Sequence, residues 1–468
     1  MTKFSERLKK AYKYFMIALK GEETEFTSGS INKAIFLLSV PMVLEMIMES
    51  LFAVVDVFFV GKVGVNAVAT VGLTESVIMI VYSVAIGLSM AATAVVSRRI
   101  GEKNPKKAAD AAFQAILIAV SISIIISIVG IVYAKDILVL IGGSPELVES
   151  GFGYTKIMLG GNISIMLLFL INAIYRGAGD ASMAMRSLWI ANGLNMLLDP
   201  LFIFGLGPIP AFGVEGAAIA TTIGRSVGVL FQLYGLFSGT RIIKLSLANM
   251  KLRLETVKKI FSIASGGMGQ FLIESASWLF LVRIISEFGS AALAGYTIAF
   301  RIIVFTILPS WGMANAAATL VGQNLGAGKP DRAEKSVWIT AHLNTGFLFC
   351  VSIVFFWLAP EFVGIFSQES IVQEYGSIAL RVICVGYITF AYGMVITQGF
   401  NGAGDTRTPT IMNIVFFWMI QIPLAYILAI YLDYGFLGAM ISVSAAFALH
   451  AAACVYLFRL GKWKTTKV

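Results

Sequence analysis

Residues 176–180 read RGAGD, and residues 401–405 read NGAGD, 225 positions further on. The same shift carries GEKNPKKA at 101–108 onto GAGKPDRA at 326–333. It also carries Gly87, Ala91, Ala92 and Val96 onto Gly312, Ala316, Ala317 and Val321. One offset shared by several separate stretches defines two related halves. These motifs punctuate long apolar runs, and the runs decide what the halves are.

Twelve such runs fall near 34–60, 68–97, 109–133, 152–175, 184–206, 212–237, 258–285, 291–321, 335–358, 375–400, 409–431 and 434–459. A helix crossing the hydrocarbon core of a bilayer needs about 20 apolar residues. Composition agrees: 58% of the 468 residues are hydrophobic and 13% are charged, against roughly 45–50% and about 25% in soluble chains. The expected fold is an all-α integral membrane protein with twelve transmembrane helices, spans 1–12, in two six-helix lobes. Six is even, so both lobes begin on the same side and form a parallel pseudo-twofold repeat about the membrane normal. The expected organisation is an amphipathic N-terminal segment over 1–30, an N-lobe over 31–240, a C-lobe over 241–460 and a tail over 461–468. In the first segment Phe4, Leu8, Tyr12, Phe15 and Leu19 recur at helical spacing among basic residues, the pattern of a surface helix. The acidic EETE at 22–25 reads as a solvated linker.

The net charge is +9. Such a balance can signal nucleic acid, but here most Lys and Arg lie in loops between apolar runs, and no nucleic-acid partner is expected. With the N-terminus in the cytoplasm, most of the 35 basic residues fall before span 1, in the 2–3, 4–5, 6–7, 8–9 and 10–11 loops, and in the tail. The alternate loops carry only Lys62 and Lys135. By the positive-inside rule both termini are cytoplasmic, and the chain is a multi-pass protein of the cell inner (plasma) membrane. Residues 1–30 show no signal-peptide pattern. Cys350, Cys384 and Cys454 lie in apolar runs without paired spacing, so they form neither a disulfide framework nor a metal site.

Ionisable groups inside a bilayer are costly and are functional candidates by default. The spans hold Glu45, Glu49 and Asp56 in span 1, Glu75 in span 2, Asp199 in span 5, Glu215 early in span 6 and Glu274 in span 7. Asp56 lies five residues before Gly61 and Asp199 six before Gly205, at the outer ends of spans 1 and 5. At about 1.5 Å per residue the two acids share one level. Such a pair could share a proton or hold Na+, because loss of water and a like-charged neighbour both favour neutralisation. Asn195, one turn before Asp199, adds a carbonyl oxygen suited to a hard cation. Asp56, Asn195 and Asp199 are therefore a candidate Na+ site. Pro200 removes a backbone donor and makes span 5 a candidate hinge. Glu274 lies near mid-membrane in the C-lobe and matches Glu49 at the repeat offset; both are candidates. Glu45, nearer the cytoplasmic end, reads as structural or snorkelling. His342 and His450 read as packed groups. The 19 Met and 34 Phe are mostly packing, though some could line an adaptable cavity for apolar cations. The GAGD motifs follow no strand, so they are tight turns, not phosphate loops.

The chain resembles the MATE family, the multidrug and toxic compound extrusion transporters. The resemblance rests on VVDVFFVGKVGVNAVATVG at 54–72, YRGAGD at 175–180, NMLLDPLFIFG at 195–205, LVGQNLGAGKPDRAE at 320–334 and NGAGDTRTPT at 401–410, and covers about 30–460. It implies two lobes around a V-shaped cavity and export of organic cations or amphiphilic compounds in exchange for H+ or Na+. By the same resemblance Asp56, Asn195 and Asp199 are coupling residues. Tyr154 in span 4 and Thr221 in span 6 join their network, and Glu274 matches a glutamate prominent in one bacterial branch. That branch also has an aspartate in span 10, and YITFAYGMVITQGF at 387–400 has none. The C-lobe cation set is thus incomplete, and the coupling ion stays open between H+ and Na+.

The function expected is a secondary active multidrug efflux antiporter working by alternating access. Its partners are small organic cations and the lipid bilayer; it acts as a monomer, without cofactor and without catalytic residues. A flippase for lipid-linked precursors is the alternative, kept alive by Arg225, Arg283, Arg301 and Arg381, but the acids favour cationic cargo. An intramembrane enzyme lacks a dyad or metal cluster. A channel lacks a filter-like segment.

Overall fold

The computed structural model describes residues 2–21, 25–246 and 251–468, with the side chains of 2–8, 10 and 11 left aside. Residues 22–24 of the acidic stretch lie outside that description. Among the described residues eleven helices are long and apolar enough to cross a membrane. They are Val65–Gly101 (span 2), Pro105–Val132 (span 3), Pro145–Ala178 (span 4), Ala181–Phe204 (span 5), Val214–Phe237 (span 6), Leu254–Ser286 (span 7), Ser290–Gly326 (span 8), Pro330–Trp357 (span 9), Ser370–Ala403 (span 10), Arg407–Tyr431 (span 11) and Gly435–Arg459 (span 12). Ile31–Gly61, 31 residues long and bearing three acids, packs among them as span 1. The chain is an all-α membrane protein of twelve spans in two lobes, with a further helix, Thr2–Lys20, laid against spans 1 and 5.

The repeated motif has a backbone reason. Gly179 and Gly404 adopt φ of +89° and +88°, the left-handed residue that ends a helix. Gly179 N–H reaches Arg176 O and Asp180 N–H reaches Tyr175 O, both at 2.9 Å. Gly404 and Asp405 repeat this on Asn401 and Phe400 at 2.9 and 3.0 Å. The aspartate then caps the next helix: Asp180 Oδ1 accepts from Met183 N–H at 3.2 Å, and Asp405 Oδ1 from Thr408 N–H at 3.1 Å. Each GAGD therefore stops one span and starts the next within three residues.

Three features were not foreseen. Short helices Ala134–Leu140 and Ala359–Gly364 follow spans 3 and 9; they begin at positions 225 apart and are too short to leave a periodic signal. Span 4 breaks at Gly161, where Asn162 Nδ2 donates to Leu159 O at 2.6 Å and Ser127 Oγ at 2.8 Å. Span 11 widens into π turns at Ile414–Gln421 and Ile427–Tyr431, on either side of Pro423, an adjustment that a proline within a membrane helix invites. Span 5, by contrast, runs unbroken across Pro200.

The lobes meet through the halves of spans 1, 2, 7 and 8 that point toward the termini. Close backbone approach at glycine makes this contact, twice over. Gly87 of span 2 lies where a Cβ would come within 2.5 Å of Ala264 O in span 7, and its counterpart Gly312 within 2.5 Å of Met42 O in span 1. Gly101 sits on the backbone of Gln323, and Gly326 on that of Arg98. Both pairs follow the repeat offset. Toward the other face the lobes part. There Val68, Gly72, Glu75 and Met79 of span 2 are exposed, as are Ala294, Thr297, Arg301 and Phe305 of span 8. Each set recurs at three- and four-residue steps, so each is one helix face lining a cleft. Glu75 lies within electrostatic reach of Arg301, across that cleft.

Gly312→Val is expected to wedge the closed face open. In a variant without native cysteines, a Cys at Asn315 should then react several-fold faster with a membrane-impermeant thiol reagent applied from the face bearing the termini. Unchanged labelling would contradict the glycine contact.

Candidate functional site

Span 1 places Glu45, Glu49, Phe52 and Asp56 on one face, at steps of four, three and four residues. This face looks into the N-lobe and meets a different partner at each level.

The deepest tier is closed. Glu45 is 1% exposed. Its Oε1 accepts from Arg176 Nη1 at 2.6 Å and from Asn172 Nδ2 at 3.0 Å. Gln232 Nε2 donates in turn to Asn172 Oδ1 at 2.5 Å. The structural expectation for Glu45 therefore holds, as a buried ion pair and not as snorkelling. The C-lobe repeats the geometry without charge: Gln270 and Asn401, the counterparts at the offset, exchange two hydrogen bonds at 3.0 and 3.2 Å.

In the middle tier Glu49 Oε2 accepts from Asn192 Nδ2 at 2.8 Å, and Glu49 Oε1 lies 3.7 Å from Arg225 Nη2. That same Nη2 donates to the Tyr82 hydroxyl at 3.0 Å. Phe52, Tyr82 and Phe169 surround the guanidinium at 5.5–5.9 Å.

The outer tier is open. Asp199 is fully buried, and among the described residues neither of its oxygens has a hydrogen-bond donor in good geometry. Asn195 lies beside it but directs its amide to Thr221 Oγ1 at 2.9 Å, leaving its own Oδ1 unpartnered. Asp56 is half-buried and within electrostatic reach of Asp199, Glu75 and Arg225. Tyr154 is buried and feels the charges of Asp56, Glu75 and Arg225. Five oxygen-bearing groups from spans 1, 4, 5 and 6 thus converge, with no positively charged side chain in contact with Asp199 among the described residues, an arrangement able to take up a proton or a small hard cation.

Asp56, Asn195, Asp199, Tyr154 and Thr221 are accordingly brought together, with Glu49 one tier deeper. Glu274 is not among them. It stands in the C-lobe with no ion-pair or hydrogen-bond partner for its carboxylate among the described residues. Its neighbours at the offset are apolar where the N-lobe is polar: Leu281 for Asp56, Leu424 for Asp199, Phe417 for Asn192. Glu75, Tyr82, Asn192 and Arg225 were not singled out as site residues from the sequence. Arg225 lies one turn past Thr221, and that i, i+4 spacing was the available signal.

Between the lobes, at the closed end of the cleft, lies a small space of about 50 Å³ lined by Met90, Phe169, Arg176, Trp311, Asn315 and Asn401, among others. It draws on both lobes, as a site for a passing solute should.

Comparison with known proteins agrees with this architecture. The family model described as MatE matches residues 41–201 and again 268–427, one match in each half. The chain belongs to the MATE family of transporters, and it is a transporter rather than an enzyme. It is 27% identical over 443 residues to a probable multidrug resistance protein NorM of Thermotoga maritima, covering 94% of each chain. It is 23% identical to the multidrug export protein MepA of Staphylococcus aureus, over 93% of this chain and 95% of that one. A crystal structure of MATE in the straight conformation superposes with a TM-score of 0.89 at 28% identity, covering 95% of this chain and 99% of that one.

The tiers differ testably. Arg176→Asn leaves Glu45 charged and buried without its cation, which costs roughly 3–5 kcal/mol. Glu45→Gln with Arg176→Asn copies the neutral pair of the C-lobe and should recover most of that loss. Thermal unfolding in detergent decides: a double variant as unstable as the single one would show that the pair does more than neutralise charge.

Proposed function

We propose that this transporter exports cationic or amphiphilic small molecules in exchange for H+ or Na+, with Asp56 and Asp199 as the coupling acids. The observation that carries the proposal is the buried Asp199, which among the described residues has no cationic partner and no donor in good geometry, with only the Asn195 amide beside it, and which faces a second acid. A buried charge is retained in a bilayer only where it is compensated. Elsewhere in the lobe a cationic side chain in contact compensates it; at Asp199 none is in contact among the described residues, which leaves a place for a cation from solution. Asn195, Thr221 and Tyr154 complete the cradle, and a Na+ ion would find oxygens from Asp56, Asn195 and Asp199.

In this arrangement the open cleft faces outside. A cation from that side neutralises the pair, and span 5 responds at Pro200, where the missing backbone donor lowers the resistance to bending. The substrate leaves, and the lobes close outside and open toward the termini. The basic loops put that face in the cytoplasm, the membrane being the plasma membrane. The lobes extend over about 31–240 and 241–460, and each molecule has its own cleft, so a monomer suffices. Glu49 supports the outer tier from below, and Glu274 is a secondary candidate, since no partner in its lobe answers it. The aromatic and sulfur lining of the closed end suits flat apolar cations. Names of relatives, multidrug export among them, support this substrate class. The flippase alternative loses support where its arginines are engaged within their own lobes: Arg283 pairs with Glu287 at 3.0 Å, and Arg381 donates to Phe356 O at 3.0 Å.

The test is transport in proteoliposomes loaded with ethidium, under a pH gradient or a Na+ gradient imposed separately. Wild type should respond to one gradient. Asp56→Asn and Asp199→Asn should each lower that gradient-driven flux at least tenfold. Full flux in both variants would refute the proposal; no flux under either gradient from folded wild type would favour a lipid-linked substrate.

A further inference from the structure

Arg225 is the most deeply buried arginine of the N-lobe, 3% exposed, yet its partners are few. Nη2 meets the Tyr82 hydroxyl and, at a loose 3.7 Å, Glu49. Nε and Nη1 are buried without any hydrogen-bond partner. Glu49 does not depend on it, because Asn192 holds the other carboxylate oxygen at 2.8 Å. A guanidinium usually offers a rigid fork of five donors to planar acceptors, and leaving such donors buried and unmet is unfavourable. The ring walls of Phe52, Tyr82 and Phe169 stabilise the cation without fixing its direction.

Its position explains this. Glu49 and Asp56 lie seven residues apart on one face of span 1, about 10 Å along the axis. Arg225 interacts electrostatically with both. The charged and titratable groups around it are Glu49 and Asp56 of span 1, Tyr82 and, further out, Glu75 of span 2, and Tyr154 of span 4. Asp56 in turn reaches Asp199 of span 5.

We propose that Arg225 is a tethered counter-ion that competes with the coupling cation for Asp56. When the outer tier is empty, its unmet N–H groups turn toward Asp56 and neutralise it from within. When a cation occupies Asp56 and Asp199, Arg225 withdraws to Glu49. The lobe therefore always carries one mobile positive charge, which weakens cation binding enough to permit release and lets the cation-free lobe reorient. The C-lobe has no such device: the counterpart of Arg225 is His450, stacked on Phe417 at 5.2 Å.

This rests on the coupling role proposed for Asp56, and the experiment separates the two. Full-length Arg225→Met, Arg225→Lys, Glu49→Gln and Asp56→Asn are compared with wild type in proteoliposomes, reading ethidium flux as the coupling cation is titrated. Arg225→Met removes the competitor, so the half-saturating cation concentration should fall about tenfold, one unit of differential charge stabilisation. Glu49→Gln frees Arg225 for Asp56, so it should rise about tenfold. Arg225→Lys should stay within about twofold of wild type. A purely structural role would not move the two variants in opposite directions. If Arg225→Met does not fold, Glu49→Gln still decides by the sign of its shift. Unshifted or same-direction responses, with cation dependence abolished by Asp56→Asn, overturn the competitor alone. Cation dependence that survives Asp56→Asn overturns both proposals.

Discussion

A carboxylate inside a bilayer must be compensated, and span 1 carries three on one face. The N-lobe is organised around answering them. Glu45 receives a 2.6 Å ion pair and an amide. Glu49 receives an amide and a guanidinium at 3.7 Å. Asp56 receives a second acid. Compensation thus weakens step by step toward the open face. The same side-chain chemistry is paired with a cation in contact at one end of the helix and not at the other, because spans 4, 5 and 6 supply different partners at successive turns.

The two lobes share a skeleton but not this ladder. The stop-and-start turns at Gly179 and Gly404, the paired glycines at the interface and the link from span 4 or 10 back to span 1 or 7 recur at the 225-residue offset. At the chemical positions the C-lobe keeps the shape and drops the charge: Gln270 for Glu45, Asn401 for Arg176, Leu281 for Asp56. Only Glu274 remains charged. The acids and the polar groups that answer them are thus concentrated in one lobe, and the matching positions of the other are mostly neutral or apolar.

Much of this was legible in the sequence. Apolar runs interrupted by basic loops gave the spans, and the shared offset gave the lobes, because both are long-wavelength patterns that survive uncertainty at helix ends. The depth argument brought Asp56 and Asp199 to one level, and Asn195 followed from helical spacing. The resemblance added Tyr154 and Thr221, which no spacing singled out. Arg225 stayed unassigned because a basic residue in an apolar run does not announce which acid it faces; that depends on how span 6 rotates against spans 1 and 2. Glu75 was visible as an acid, but its reach to Asp56 and to Arg301 is tertiary. The π turns of span 11 depend on how the chain is satisfied around Pro423, which composition alone does not encode.

The distribution of bond strength fits a protein whose lobes move apart. Among the described residues every ion pair joins partners within one lobe, except Arg241–Asp180 and Arg253–Asp110, whose arginines lie in the segment connecting the lobes and are partly exposed. Across the lobes the contacts are of another kind. Thr319 Oγ1 donates to Arg176 O at 3.2 Å and Gln323 Nε2 to Gly177 O at 3.1 Å. Arg98 and Arg99 hold the carbonyls of Thr466 and Val468 at 2.7 and 2.9 Å, while Lys329 and Arg332 hold those of Thr27 and Gly29, both at 2.8 Å. Each terminal segment thus straps its own lobe to the opposite one. The neutral bonds from Thr319 and Gln323 contribute about 0.5–1.5 kcal/mol each and those from the charged arginines and lysine about 1.5–3, and none leaves a charge without a partner that water could not replace. A buried ion pair separated in every cycle would instead leave stranded charges, at several kcal/mol. The buried ion pairs Arg176–Glu45 and Arg225–Glu49 stay within one lobe, and the contacts between the lobes are mainly hydrogen bonds to backbone carbonyls.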